Sequence, residues 1–300
     1  MTTRTLKIKP FDPVQKLTAG EDVWINPVGG LGDALMLSGV LKQFYGKYPG
    51  KKFKLVRRKG YTSIFRNHPA IQEIGHPPAT ASIITNDYWA KEDLGGNKQR
   101  AYQILARSFG LKTPVEEVLF ITDSEPADEG LLKFIPWKAK NVIIAPHSES
   151  PRKSMHPMGW HILVDMLLKE GVFVLQVGRK EDQHIKNTYS VLGLTTPVSL
   201  VPILSRGDIL VTCDNFIMHL AHMLKKKAVV TWGPTSREVY GYQEHCHLTA
   251  PMEHCPEKNK CLGASFADNY TKPCPLGPEH CMNKILPETI FNKIIPFIYT

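Results

Sequence analysis

The chain has 300 residues, is 42% hydrophobic and carries a formal net charge of +9. That length supports one or two domains with a sizeable core. No run approaches the roughly 18 apolar residues of a membrane-spanning helix, and Met1 to Lys7 lack an apolar signal-peptide region, so neither a membrane span nor secretion is expected.

In chain order, the polar stretch 1–21 reads as a leader strand or arm. Val23 to Val28 is an apolar strand running into a glycine loop, Gly29-Gly30-Leu31-Gly32-Asp33. Leu35, Val40, Leu41 and Phe44 then recur at helical spacing over Ala34 to Tyr45. Phe53 to Val56 is a strand, and Tyr61 to Asn67 a short helix closed by His68-Pro69. Residues 75–100, rich in Gly, Pro, Asn and Thr, read as loop. Ala101 to Phe109 is a helix stopped by Gly110, Val118 to Ile121 a strand, and Asp123 to Glu129 an acidic linker.

The second half alternates more cleanly. Strands are expected at Asn141 to Ala145, Val172 to Val177, Ile209 to Thr212 and Ala228 to Trp232. Helices are expected at Trp160 to Lys169, Ile217 to Leu224 and Pro287 to Ile298, with Pro296 breaking the end of the last. Such alternation gives right-handed parallel crossovers and an α/β fold. No internal repeat or low-complexity tract is visible.

Two loops carry the chemistry. Gly29 to Asp33 and Cys213-Asp214-Asn215-Phe216 each follow an apolar strand and open a helix. A carboxylate at the C-terminal edge of a parallel sheet, on a helix N-terminus, is where α/β proteins place ligands. Asp33 is the candidate general base: a helix N-terminus favours its charged form, and Gly29, Gly30 and Gly32 let an acceptor approach the backbone. The plain alternative is a helix cap. Lys153, with Arg152 beside it, is a candidate for a diphosphate, since a lysine is a mobile point charge. Ser148 offers a hydroxyl, and His147 lies at the same strand end. Asp214 is the expected N-cap of the following helix, leaving the N–H groups of Asn215, Phe216 and Ile217 for a phosphate. His219 lies one turn on. His219 and His222 are three apart, a weak hint of metal against a more ordinary structural role.

The order of three motifs resembles glycosyltransferase family 9, the ADP-heptose:lipopolysaccharide heptosyltransferases and their relatives. The motifs are Gly29 to Asp33; Ile143 to Ser148 followed by Arg152, Lys153, Pro157 and Trp160; and Asp208 through Asp214 and His219 to Trp232-Gly233-Pro234-Thr235. They span roughly residues 22–240. Departures are Gly39 where the family has proline, Asp214-Asn215-Phe216 for its Asp-Thr-Gly loop, and Lys153-Ser154-Met155-His156-Pro157 for its Lys-x-Trp-Pro run. The resemblance implies a GT-B architecture of two Rossmann-like lobes facing one cleft: an acceptor lobe over 1–136 and a sugar-nucleotide lobe over 137–300. It implies an inverting transferase moving a heptose-like sugar from a nucleotide diphosphate, ADP-heptose first, to a bacterial glycan or a protein side chain. Asp33 is then the base, and His147, Ser148, Lys153, Asp214, Asn215, His219, Gly233, Pro234 and Thr235 contact the donor. The chemistry requires no cofactor, and no Asp-x-Asp metal motif or P-loop is present. Rival readings are a nucleotide-sugar-binding protein without transferase activity and a sugar-nucleotide epimerase or hydrolase.

The tail, 246–282, holds Cys255, Cys261, Cys274 and Cys281 with gaps of five, twelve and six residues. In a protein expected to be cytoplasmic these are reduced thiols or ligands of a structural metal. The resemblance adds iron to zinc as the candidate, because autotransporter heptosyltransferases of this group hold iron through four cysteines. The basic cluster Lys47, Lys51, Lys52, Lys54, Arg57, Arg58 and Lys59 is either a solvated surface or a patch for an acidic acceptor or an anionic membrane. No nucleic-acid partner is expected, since no ribonucleoprotein pattern or Cys/His finger is present.

Overall fold

The computed structural model describes residues 13–88, 99–122, 129–253, 255–257, 261 and 269–299. Its first sheet has four parallel strands in the order β3-β2-β1-β4: β1 Val23–Asn26, β2 Phe53–Val56, β3 Ile71–Gly75 and β4 Ser82–Thr85. Its helices are α1 Pro13–Thr18, α2 Leu31–Lys47, α3 Thr62–Phe65 and α4 Ala101–Ser108. After α5 Glu129–Phe134, the second sheet takes in β5 Asn141–Ala145, β6 Phe173–Gln176, β7 Tyr189–Ser190, β8 Ile209–Cys213, β9 Ala228–Trp232 and β10 Cys246–Thr249. It too is parallel, in the order β10-β9-β8-β5-β6-β7. The helices between and after these strands are α6 Pro157–Lys169, α7 Leu200–Ser205, α8 Phe216–Met223, α9 Arg237–Tyr240 and α10 Pro287–Ile298. Pro296 sits inside α10, in its last turn.

The central strands β5, β8 and β9 are buried along their whole length, which is why they read as unbroken apolar runs rather than alternating ones. One continuous core joins the first lobe to the near face of the second sheet, through Leu35, Leu37, Leu41, Ile217 and Leu220 among others. A second core fills the far face, where Trp160, Leu163 and Leu167 of α6 meet Ile290 and Ile294 of α10. From Ala34 to Leu41 every residue of α2 is buried. A helix buried on all sides belongs between layers, and α2 lies between the lobes, against α8.

Three expectations need correction. The loop expected over 75–100 contains β4, which pairs with β1 from Val23↔Ser82 to Asn26↔Thr85; its Ile83-Ile84 core is too short to stand out among turn residues. The strand expected at Val118 to Ile121 does not form. Its carbonyls are met by side chains instead: the Tyr102 hydroxyl donates to Val118 O at 2.8 Å and Ser38 Oγ to Phe120 O at 2.6 Å. The segment lies so close to α2 that a Cβ on Gly39 would stand 1.7 Å from the Val118 carbonyl; only glycine fits there. Finally, the polar start contains α1 where an arm or strand was expected. The expected linker at 123–129 falls almost wholly outside the described residues.

Candidate active site

Asp33 is the third residue of α2, not its cap. Gly30 is the cap, and its N–H donates to Asp33 Oδ2 at 2.7 Å. Gly29 has φ +88, and a Cβ there would meet that same oxygen at 2.4 Å, so this turn needs glycine twice over. The other carboxylate oxygen, Oδ1, accepts from the Tyr88 hydroxyl at 2.6 Å. Desolvation by burial raises the Asp33 carboxyl above its ordinary range, although Tyr88, Gly30 and the charge of Lys153 pull the other way. The helix-terminus argument alone pointed to a lowered value; burial outweighs it.

The second lobe brings a different carboxylate to the same place. Asp214 follows β8 and pairs with Lys153 Nζ at 2.9 Å; both side chains are nearly buried. Thr235 Oγ1 donates to the same Asp214 oxygen at 2.5 Å. Burial would raise the Asp214 carboxyl, but Lys153 and Thr235 outweigh it and hold the group below its ordinary range. Lys153 mirrors this: burial opposes its charge, and Asp214 more than restores it. Lys153 also lies 5.4 Å from the centre of the Tyr270 ring.

The cap of α8 is Asn215, correcting the expectation for Asp214. Its Oδ1 accepts from Ile217 N at 2.9 Å, and its Nδ2 donates to the carbonyls of Ala145 and His147 at 3.2 and 2.8 Å. Asn215 therefore ties two strand-end loops together, and the Ile217 N–H has a partner. His219 is buried, with Nδ1 2.6 Å from the Tyr242 hydroxyl. Burial lowers its pKa to about 3, so it is neutral near pH 7. The other edge of its ring faces the glycine loop: a Cβ on Gly32 would stand 2.6 Å from His219 Cδ2 and 2.7 Å from Nε2. The lobes thus meet at Gly32, beside Asp33.

His222 is a strut rather than a metal ligand. Its Nδ1 pairs with Glu244, its Nε2 lies 2.8 Å from the Glu117 carbonyl of the first lobe, and its ring stacks on Tyr242 at 3.8 Å. Arg100 supports the same junction through Glu117 and the Gly241 carbonyl.

The remaining sequence candidates divide. His147 and Ser148 line a cavity of about 540 Å³ with Glu181, Asp182, Gln183 and Asn283, and His147 Nε2 lies 3.0 Å from the Gln183 carbonyl. Gly233 turns away from that cavity: a Cβ there would meet Met282 Sδ at 2.6 Å. Pro234 beside it is buried. Arg152, expected beside the diphosphate, is knitted into the tail instead. Its guanidinium donates to Cys261 Sγ at 2.9 Å and to the carbonyls of Lys272 and Pro273, while its own carbonyl faces His280 Nε2 at 3.0 Å.

The four tail cysteines are free thiols and lie near one another. Burial, then the proximity of Cys255, Cys274 and Cys261, pushes the Cys281 thiol up to about 11. Four thiols are a fitting donor set for a soft or borderline ion. Among the described residues, however, no three His, Cys, Asp or Glu side chains are gathered as a ready coordination shell.

Sequence reasoning missed Tyr88, Tyr240, Tyr242 and Tyr270, which surround the two aspartates, and Glu181 at the cavity. Tyr88 follows the unrecognised strand β4. Had β4 been seen, the strand-end rule that found Asp33 would have pointed to it.

Two parallel sheets with carboxylate, lysine and histidine meeting at their strand ends define a GT-B glycosyltransferase, an enzyme that takes its sugar from a nucleotide donor. The sequence profile of glycosyltransferase family 9 (heptosyltransferase) matches residues 80–262, and the chain belongs to that family. Solved structures agree on the fold. A glycosyltransferase family 9 protein from Veillonella parvula is 13% identical, with TM-score 0.66 over 93% of this chain and 97% of that one. The ADP-heptose lipopolysaccharide heptosyltransferase II of E. coli is 13% identical, with TM-score 0.67 over 93% and 98%. The dodecameric iron-containing heptosyltransferase TibC, solved with ADP-D-beta-D-heptose, is 15% identical, with TM-score 0.69 over 93% and 76%. TibC comes from enterotoxigenic E. coli. A comparison with curated protein sequences gave no significant match. No helix among the described residues is long and apolar enough to cross a membrane.

Proposed function

We propose that this protein transfers a heptose-like sugar from ADP-heptose, with inversion, to a hydroxyl of a bacterial glycan precursor or a protein side chain. The observation that carries the reading is the meeting of Asp33 with Lys153, Asp214 and His219, residues far apart in sequence. Asp33 takes the proton of the acceptor hydroxyl while its oxygen attacks the anomeric carbon from the face opposite the leaving group. The bond from that carbon to the diphosphate breaks, and Lys153 neutralises the charge that develops on the departing ADP. Asp214 and Thr235 hold Lys153, and neutral His219 presents an imidazole edge to the donor without adding charge. The cavity lined by His147, Ser148 and Glu181 takes the nucleoside. The lobes divide near residue 136, with the acceptor on the glycine-loop side. The ligands bound by TibC and named for heptosyltransferase II support ADP-heptose as the donor.

The basic cluster around Lys54 and Arg58 is assigned to an acidic acceptor or an anionic membrane at the cytoplasmic face. Part of it is internally engaged: Lys54 pairs with Asp22 and Glu73, and Arg58 donates to the Pro27 carbonyl. Structural iron or zinc at Cys255, Cys261, Cys274 and Cys281 is a separate proposal, supported by the clustering of the thiols and by the iron of TibC. Such an ion would brace the tail and take no part in transfer; anaerobically purified protein with almost no bound metal would remove it.

A thermal-shift series with ADP-, UDP-, GDP- and dTDP-sugars tests the donor. Stabilisation by the ADP-sugar alone is expected, about 2.7 kcal/mol at a hundredfold excess over Kd. Stabilisation by a different base overturns ADP. Consumption of donor without any acceptor points to hydrolysis or epimerisation.

A further inference from the structure

Tyr88 belongs to the first lobe, in the loop after β4, and Tyr240 to the second, at the end of α9. Their ring centres are 6.5 Å apart, and their hydroxyls are hydrogen bonded to each other. Tyr88 also donates to Asp33 Oδ1 at 2.6 Å. A phenol has one proton to give. Since Tyr88 gives its proton to Asp33, the proton between the two tyrosines comes from Tyr240. The result is a directed chain, Tyr240 to Tyr88 to Asp33, that crosses from one lobe to the other. Tyr88 is 1% exposed, so water cannot stand in for the partner it would lose.

We propose that Tyr88 and Tyr240 are positioning residues that set the basicity and direction of Asp33, and that the Tyr240 link ties this setting to contact between the lobes. The inference rests on the reading of Asp33 as the base. Its physical content is a balance. Burial disfavours the Asp33 carboxylate, and hydrogen bonds to the charged form favour it. Gly30 N–H on Oδ2 is fixed by the backbone and belongs to the first lobe alone. The tyrosine pair is the only one of the two arms that reaches across the crevice. With the lobes together, Tyr240 polarises the Tyr88 hydroxyl and strengthens its bond to the carboxylate. With the lobes apart, that support is lost and the carboxyl binds its proton more tightly. The chain also fixes which oxygen is occupied, leaving the outward lone pairs of the carboxylate for the acceptor hydroxyl.

The test is a pH titration of Asp33, followed by carbon NMR on protein labelled with 13C at the aspartate carboxyls. The Asp33 signal is the one missing from Asp33→Asn. In Tyr88→Phe its midpoint is expected to rise by about one unit; in Tyr240→Phe it is expected to rise by less, in the same direction. A purely structural role would move neither midpoint. Wild-type midpoints in both variants overturn the inference. If Tyr88→Phe does not fold, Tyr240→Phe carries the test, because Tyr240 is only half-buried. Failure of the underlying reading looks different: Asp33→Asn would then retain sugar transfer, whatever the midpoints do.

Discussion

Asp33 and Asp214 are the same residue type, each in a loop that leaves a parallel strand and opens a helix, yet the two lobes treat them oppositely. The first lobe surrounds Asp33 with neutral donors and desolvates it, so its carboxyl rises. The second gives Asp214 a lysine at 2.9 Å and a threonine hydroxyl, so its carboxyl falls. One is set up to accept a proton during a reaction; the other is set up to remain an anion and hold Lys153. Paired groups whose environments push them apart separate the reacting residue from its support.

Replacement by asparagine breaks the comparison most sharply. Asp33→Asn is expected to lower transfer by roughly 10²–10⁴-fold, the usual contribution of a general base, with little change in melting temperature. Asp214→Asn leaves Lys153 buried without its counter-ion and is expected to cost about 3–5 kcal/mol of stability, read by chemical denaturation. Stability against pH separates the two further. Asp214, held low, contributes stability that is present above the ordinary aspartate range and lost as pH falls through its folded value. Asp33, held high, works in the other sense and is relieved as pH falls. Lys153→Gln sharpens the assignment of the leaving-group side: kcat is expected to fall by about 10²–10³-fold, comparable with loss of one preorganised donor. Gly32→Ala tests where the lobes touch. Its methyl displaces the His219 ring, and a loss of up to about 100-fold in kcat/KM is expected, as for a misplacement of about 1 Å, with the fold retained.

The glycine loop, the strand-ends at Ala145 and Cys213, and the Lys153-to-Thr235 constellation were legible because parallel strands read as apolar runs and helix starts carry small or acidic residues. Pairing was not legible. Whether Asp214 caps a helix or binds a lysine depends on a partner 61 positions away in sequence, and Asn215 caps equally well. Arg152 and Lys153 look alike as neighbouring cations, yet one turns into the tail and the other toward the crevice. The Val118 segment looked like a strand because apolar alternation does not reveal that side chains from α2 and α4 take its carbonyls. The tyrosines gave no periodic signal at all, since each comes from a different element.

That divergence of Arg152 and Lys153 has a practical side. Adjacent peptide units anchor a sulfur-rich subregion and the crevice, so the two share one short length of main chain. Reagents that alkylate or oxidise Cys261 would unseat the Arg152 side chain and pull on its neighbour. Nucleotide affinity should therefore fall in protein handled without reductant, even though no thiol lies among the groups assigned to the substrate.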